Sequence, residues 1–393
     1  MTATPTSPTP TGRVVLLGAT GYTGELVARE LVARGARPVL AGRSRRGLVS
    51  LSADLARTGP NDSSGDPGEP ELLDTAVADV DDPRTVRALV GPGDVLVSTV
   101  GPFLRHGTAA VEAAVDARAT YLDSTGEPAF IRRVVEEHGS RARRAGTALL
   151  TAFGHDWVPG NVAGALALQD GGADATRLEI GYFPTGGGTS GGTRSSALTT
   201  VLEPSYAWRA GRLRTERVAA RVVSFDVAPG RRVRGVTAGG TEPFFLPALA
   251  PGLRDVEVAI GVSSRVLPLL PLVTGCTTAA LRLPGVGPAV RRAVQARASG
   301  SGGGPDAARR ATSRTHVVAD ARSASGELLR RVRLDGPDAY DLTARYLAWG
   351  AMRAAAGGVR ATGALGPVQA FGLDALLTAT RDAGMTVTAR SPT

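Results

Sequence analysis

VLLGATGYTGELVARELVARG (Val15–Gly35) sets three glycines, Gly18, Gly21 and Gly24, between an apolar run and a stretch with helical spacing. The apolar run reads as a buried strand. Leu26, Val27, Leu31 and Val32 recur at helical intervals, and Gly35 supplies a stop. In such a strand–turn–helix unit the first glycine allows the tight turn and the second lets backbone N–H groups approach a pyrophosphate. The third lets the helix pack close to the strand. The positive end of the helix then faces the phosphates. A glycine triplet also suits an ordinary turn; its place at the head of a βαβ unit favours the cradle.

Outward from this turn, residues 13–152 alternate short apolar strands with helices. RPVLAGR, DTAVADV, DVLVSTV, TYLDST and TALLTAF continue the strands, and helical segments separate them. The polar, Gly- and Pro-rich Thr58–Glu71 reads as a loop insertion. Six strands in this rhythm predict a doubly wound Rossmann sheet, parallel and covered on both faces. After residue 155 the rhythm changes. TRLEIGYF, RVVSFDVA, RDVEVAIGV and RTHVVADARSASGELLRRVRL read as strands without long intervening helices. The expected fold is α/β: a Rossmann doubly wound parallel sheet plus a second α+β domain with an antiparallel sheet.

The expected organisation is a disordered leader over 1–12, a Rossmann dinucleotide-binding domain over 13–155 and an α+β substrate or oligomerisation domain over 156–335. A flexible connector is expected at 298–307, and C-terminal helices over 336–393 return to the first domain.

Of the 393 residues, 42% are hydrophobic, enough for two cores, but only 4% are aromatic, so those cores rely on Ala, Val and Leu. Every one of the 45 basic side chains is Arg. The net charge of +9 is spread along the chain without a dense basic run, which argues against nucleic acid and suits anionic cofactors. The single cysteine, Cys276, excludes an internal disulfide framework, and four scattered histidines offer no metal spacing. The N-terminus has no signal-peptide pattern, and a cytoplasmic setting is expected. Val266–Leu281 is apolar but too short for a membrane span, which needs about 20 residues. Core, interface and contact with a lipid-like substrate are its open readings.

The end of the second strand distinguishes the dinucleotides. An NAD site places an acid there for the ribose 2′-OH. This chain has Arg43, Ser44, Arg45 and Arg46 and no acid. A guanidinium suits a 2′-phosphate by charge and geometry, so NADP(H) is expected, with Arg43 the best placed. The absence of lysine also excludes the Tyr-x-x-x-Lys pair of short-chain dehydrogenases.

GATGYTG, AGRS, STVGPFLRHG, TYLDSTGEPAFI and AFGHDWVPGN together resemble the saccharopine dehydrogenase-like oxidoreductases, a group that includes trans-acting enoyl reductases. TSGGTRSSALT and the C-terminal GALGPVQAFG extend the resemblance, whereas residues 206–310 do not. The resemblance implies that Gly18, Ala19, Thr20, Gly21, Tyr22, Thr23 and Gly24 meet the phosphates and that Arg43 and Ser44 meet the adenosine ribose. It puts Val100, Gly101 and Pro102 along the cofactor crevice, with Asp123, Gly126 and Glu127 at the end of the fifth strand. A rigid turn at Gly101–Pro102 and helix capping by Asp123 and Glu127 are the alternatives.

His155 and Asp156 follow the sixth strand, where the chain crosses into the second domain, and are the catalytic candidates. A histidine there can supply a proton after hydride delivery at neutral pH. The alternatives are that Asp156 caps the next helix and that His155 fills the space of an aromatic residue. Tyr121 and Tyr182 are other candidate donors. Ser190, Thr193 and Arg194, in a Gly-rich stretch, are candidates for binding substrate, or simply part of a connector. The expected activity is NADPH-dependent reduction of a C=C or C=N bond in specialised or lipid metabolism. An enoyl or polyketide-like substrate, small or carrier-bound, is favoured over a saccharopine-type imine; a non-catalytic NADP-binding scaffold is the other class. A homodimer is compatible with this reading.

Overall fold

The computed structural model describes residues 12–58, 71–200, 202–228, 230–261, 269–281, 283–297 and 303–390. Most of the expected leader, most of the loop at 58–71 and the first half of the connector at 298–307 lie outside the described residues.

The strands in chain order are β1 (Val14–Leu17), β2 (Val39–Gly42), β3 (Thr75–Val77), β4 (Val95–Ser98), β5 (Thr120–Asp123) and β6 (Ala148–Leu150). Then come β7 (Arg177–Thr185), β8 (Pro204–Arg209), β9 (Arg212–Arg217), β10 (Val222–Ala228), β11 (Arg231–Thr237), β12 (Asp255–Gly261), β13 (Arg314–Arg322) and β14 (Leu328–Gly336). The short β15 (Gly363–Ala364) and β16 (Thr386–Arg390) complete the set.

The first six strands and β15 form a seven-stranded sheet in the order β15-β6-β5-β4-β1-β2-β3, every pair parallel. β1 and β4 are buried along their whole length, as a sheet covered on both faces requires. The order turns back between β1 and β4, and the crevice at their carboxyl ends is where an open α/β sheet binds its ligand. The sequence suggests six strands. The seventh comes from the C-terminal tail and is two residues long, too short to leave a pattern.

A second sheet runs β10-β11-β12-β7-β13-β14-β16, with β8 and β9 attached at β12. It is antiparallel except between β7 and β12, so the expected antiparallel sheet is a mixed one. Helix Val158–Gly171 leads into it and is buried almost throughout, packed on β13 and β14. Its lack of an apolar stripe follows, since it meets protein on every side.

The tail divides. Helix Ala339–Ala355 packs on helix Tyr22–Ala33 and on β4 and β5. Helices Pro367–Phe371 and Leu373–Asp382 pack on Val158–Gly171, and β16 pairs with β14 at the edge of the second sheet. One apolar cluster therefore runs from Leu16 and Val97 through Trp157 and Ile180 to Leu347, joining the two sheets.

Candidate active site

The glycine turn is built as its spacing demands. Gly18 has φ +87°, and a Cβ there would lie 2.8 Å from both Thr99 Oγ1 and Val100 Cγ2. A Cβ on Gly24 would lie 2.1 Å from the carbonyl oxygen of Gly18, so only glycine lets the helix close on the strand. Gly18 and Ala19 donate their N–H groups to Ala41 O, tying the turn to β2. The first bond inside helix Tyr22–Ala33 runs from Glu25 N to Gly21 O, and no side chain caps this end. The N–H groups of Tyr22, Thr23 and Gly24 precede that bond and are left for an anion.

At the end of β2, Arg43 is exposed and has no carboxylate partner among the described residues. Ser44 Oγ accepts from Gly47 N, which fixes the start of helix Arg45–Thr58. Thr20 lies beside both elements: a Cβ on Gly47 would come 3.2 Å from Thr20 Cγ2. A free cation beside the cradle, with no acid between Gly42 and Arg46, fits a 2′-phosphate.

Tyr22 departs from expectation. Its hydroxyl donates to Pro305 O at 2.6 Å and accepts from Arg310 Nη1, and its ring meets Tyr340 edge-on at 5.0 Å. The side chain thus holds the end of the connector at Pro305, which leaves only the backbone N–H of Tyr22 for a phosphate.

Asp123 also turns away from the crevice. It is fully buried; Oδ1 accepts from Thr125 N and Ala152 N, and Oδ2 from Thr151 Oγ1. Burial raises its carboxyl to about 6, although these donors pull the other way. Its carboxylate ties β5 to the residues that follow β6 and faces away from the crevice where the cofactor is expected.

Glu127 is the other acid of that loop, and it caps a neighbouring helix rather than its own. Oε1 accepts from Phe103 N and Ser196 Oγ, and Oε2 from Leu104 N. One carboxylate therefore joins the loop after β4 to helix Gly191–Thr200. A Cβ on Gly101 would lie 3.7 Å from Ser196 Oγ, so this helix roofs the crevice over Val100, Gly101 and Pro102. The Gly101–Pro102 and Asp156–Trp157 peptide bonds are cis.

Past β6, His155 and Asp156 form a pair. His155 Nδ1 meets Asp156 Oδ1 at 2.9 Å, and Nε2 meets Thr315 Oγ1 at 2.7 Å. Thr343 Oγ1 accepts from the backbone N–H of His155. The His155 side chain is 6% exposed and that of Asp156 47%. Nδ1 faces a carboxylate oxygen and is therefore the donor of that bond, while the hydroxyl at Nε2 can give or take a proton. Asp156 Oδ2 faces the loop after β5, since a Cβ on Gly126 would lie 3.1 Å from it. Asp156 does not cap the following helix, and His155 packs edge-on to Tyr182 as well as hydrogen bonding. Of the two, Asp156 is the one open to the crevice.

Tyr121 and Tyr182 are fully buried, and burial pushes both phenols well above their usual range. Tyr182 donates to Glu242 Oε1 at 2.7 Å and accepts from Gly160 N. Glu242 is itself wholly buried, which raises its carboxyl to about 8. Neither tyrosine reaches the crevice.

Ser190 and Thr193 are also spoken for. Ser190 Oγ accepts from Thr193 N, and both Ser190 N and Thr193 Oγ1 bond the hydroxyl of Tyr340. They seat the roofing helix on Tyr340. Arg194 donates to Thr189 O and is exposed without a carboxylate partner among the described residues. Tyr340, Thr315 and Thr343 are absent from the sequence-based candidates. They lie 147 to 188 residues from the groups they contact, and nothing in their local sequence marks them.

A cavity of about 550 Å³ is lined by Arg310, which bonds Tyr22, and by Arg314, His316, Asp335, Asp341 and Arg345. Strand alternation puts Arg314 and His316 on the face of β13 opposite Thr315, away from His155. No group of metal-ligating side chains occurs among the described residues, and no helix of the described residues is long and apolar enough to cross a membrane.

Residues 14–150 match the saccharopine dehydrogenase NADP-binding domain. That stretch is a saccharopine dehydrogenase-type NADP-binding domain. The cofactor of this NADP-binding domain is NADP(H). A putative trans-acting enoyl reductase of Mycobacterium tuberculosis is 33% identical over 211 residues, 52% of this chain and 47% of that protein. A probable mitochondrial saccharopine dehydrogenase-like oxidoreductase of Arabidopsis thaliana is 34% identical over 160 residues, 39% of this chain and 34% of that protein. The matched stretch thus spans half or less of these relatives' length. Saccharopine dehydrogenase from Saccharomyces cerevisiae has the same fold, with a TM-score of 0.60 at 11% identity over 97% of this chain and all of that one.

Proposed function

We propose that the protein is an NADPH-dependent reductase that adds a hydride and a proton across a C=C bond of an enoyl or polyketide-like substrate. The observation that carries this reading is the position of Asp156: a half-exposed carboxyl at the crevice, oriented by a buried histidine. Bound at the glycine turn, NADPH supplies the hydride. Gly18 to Gly24 and Arg43 bind and orient it. Helix Gly191–Thr200, held by Glu127 and Tyr340, limits water over the crevice. Asp156 relays the proton: Oδ2 takes one from solvent and gives it to the α-carbon as the hydride reaches the β-carbon, while His155 keeps Oδ1 engaged so that Oδ2 faces the crevice. The names of the mycobacterial relatives support the choice of an enoyl group.

Arg194 favours a second reading. An exposed cation on the roofing helix would suit the carboxylate of a saccharopine-type imine substrate. The scaffold reading draws on the fact that both ring nitrogens of His155 are already engaged.

The test is NADPH consumption with enoyl thioesters, free enoyl acids and carboxylated imines. The proposal expects turnover with an enoyl substrate that falls by about 10²–10⁴ in Asp156→Asn. Turnover only with imines moves the assignment to the second reading. NADPH binding without turnover on any member supports the scaffold.

A further inference from the structure

Between Glu257 and Asp306 the sequence contains five arginines, Arg265, Arg282, Arg291, Arg292 and Arg297, and no acidic residue. Within this stretch lies helix Leu270–Leu281, twelve residues without a single charge. One face of it is anchored. Leu270 packs with Val218, Ala219, Val222 and Val236, and Thr274 Oγ1 donates to Ala219 O. Arg217 Nη2 donates to Pro271 O at 3.2 Å.

The other face has no partner among the described residues. Leu269, Leu272, Val273, Cys276, Ala279, Ala280 and Leu283 recur along it in steps of three with two adjacent pairs, and all are exposed. Leu272 is 67% exposed and Leu283 57%. Of the large hydrophobic side chains that are exposed among the described residues, half belong to this one face. Single exposed leucines need no explanation, but a continuous apolar stripe does.

Cations border the stripe. Arg292 is exposed on the next helix, Val286–Arg297. Arg217 is exposed on β9, and its guanidinium lies against this helix at Pro271 and Gly275. Neither arginine has a carboxylate partner among the described residues. An apolar helical face rimmed by unpaired arginines is complementary to a surface that is apolar inside and anionic outside. A partner protein would need matching acids and apolar residues in register; an anionic bilayer supplies both without register.

We infer that helix Leu270–Leu281 lies in the plane of an anionic lipid surface, with Leu269, Leu272, Val273 and Leu283 inserted among the acyl chains and Arg217 and Arg292 on the headgroups. The helix is too short to span, since a crossing needs about 20 residues. The attachment has a consequence for the site. Helix Val286–Arg297 packs on both helix Leu270–Leu281 and helix Gly191–Thr200, so the lipid-facing element is joined by one helix to the roof of the crevice. The inference stands on this surface alone and holds whichever bond the enzyme reduces.

The test is flotation of the full chain with vesicles of phosphatidylglycerol and phosphatidylcholine in equal parts, and with phosphatidylcholine alone. Binding is expected to the first, weaker binding to the second, and loss as salt rises. The double substitution L272E and V273E should lower the affinity at least tenfold, and Arg292→Glu about fivefold or more. Val49→Glu, at an equally exposed valine on helix Arg45–Thr58, should leave it unchanged. NADPH titration of each variant shows that it is folded. The inference is overturned if wild type does not float with phosphatidylglycerol, or if L272E with V273E floats as well as wild type. It is also overturned if sedimentation without vesicles shows a dimer that these two substitutions dissociate.

Discussion

His155 Nε2 and Thr315 Oγ1 meet at 2.7 Å across 160 residues of sequence. The contact joins the crossover after the parallel sheet to the mixed sheet, and it fixes which imidazole nitrogen faces Asp156. Thr315→Val removes the hydroxyl and strands a buried ring nitrogen, at a cost of about 1–3 kcal/mol. Chemical denaturation should show that loss. The pH profile of turnover should shift as well, because the tautomer of His155 is no longer held. Thr315→Ser should restore both readouts.

Arg43 should decide between the two dinucleotides. Losing a charge-assisted contact to a 2′-phosphate costs about 1.5–3 kcal/mol, or roughly 10- to 150-fold in affinity. Calorimetric titration of Arg43→Glu is expected to show NADPH binding weakened by at least that factor and NADH binding little changed. If the wild type binds NADH as tightly as NADPH, Arg43 does not read the 2′-phosphate.

Glu242 makes stability depend on pH. Burial raises its carboxyl from 4.5 to about 8, so the folded chain keeps a proton that the unfolded chain releases. Between those values the folded state binds more protons, and unfolding free energy falls as pH rises. This contribution is complete below about 4.5 and is lost as pH climbs through about 8. Asp123 acts in the same direction between 3.8 and about 6. Glu242→Gln keeps an acceptor for Tyr182 and cannot titrate. Urea unfolding from pH 5 to 9 should show a flatter slope for this variant than for wild type.

Glu127 holds the roof. Glu127→Gln replaces an acceptor shared by Phe103 N, Leu104 N and Ser196 Oγ with a group that is half donor. Amide hydrogen exchange should accelerate over 191–200 and 103–106 and stay unchanged in helix Arg45–Thr58. Uniform acceleration would mean global destabilisation instead.

Much of the first domain is legible because its chemistry is local. RVVLLG, RPVLAGR, DVLVSTV and TYLDST are apolar runs bounded by turns, and each holds a strand at the expected place. The glycine turn is legible for the same reason: Gly18 and Gly24 answer to contacts within a few residues or on the adjacent strand. β8 and β9 are not, since PSYAWR and RLRTER alternate weakly and β9 is largely exposed. β16 is an exposed edge with little apolar character. In the site, the acid-free, arginine-rich end of β2 is legible from the sequence alone. The inward turn of Asp123 and the capture of Ser190 and Thr193 by Tyr340 depend on partners brought together only by folding. Adjacency in sequence did suggest the His155–Asp156 pair, but not that Thr315 would occupy the other ring nitrogen.

The measurement that bears most directly on the proposed reaction is deuterium transfer from 4-deuterated NADPH to an enoyl thioester, read by mass spectrometry and NMR of the product. The account predicts one deuterium at the β-carbon and a solvent-derived hydrogen at the α-carbon, with transfer slowed in Asp156→Asn while NADPH affinity is kept. Tight NADPH binding with no deuterium in any enoyl product would contradict it.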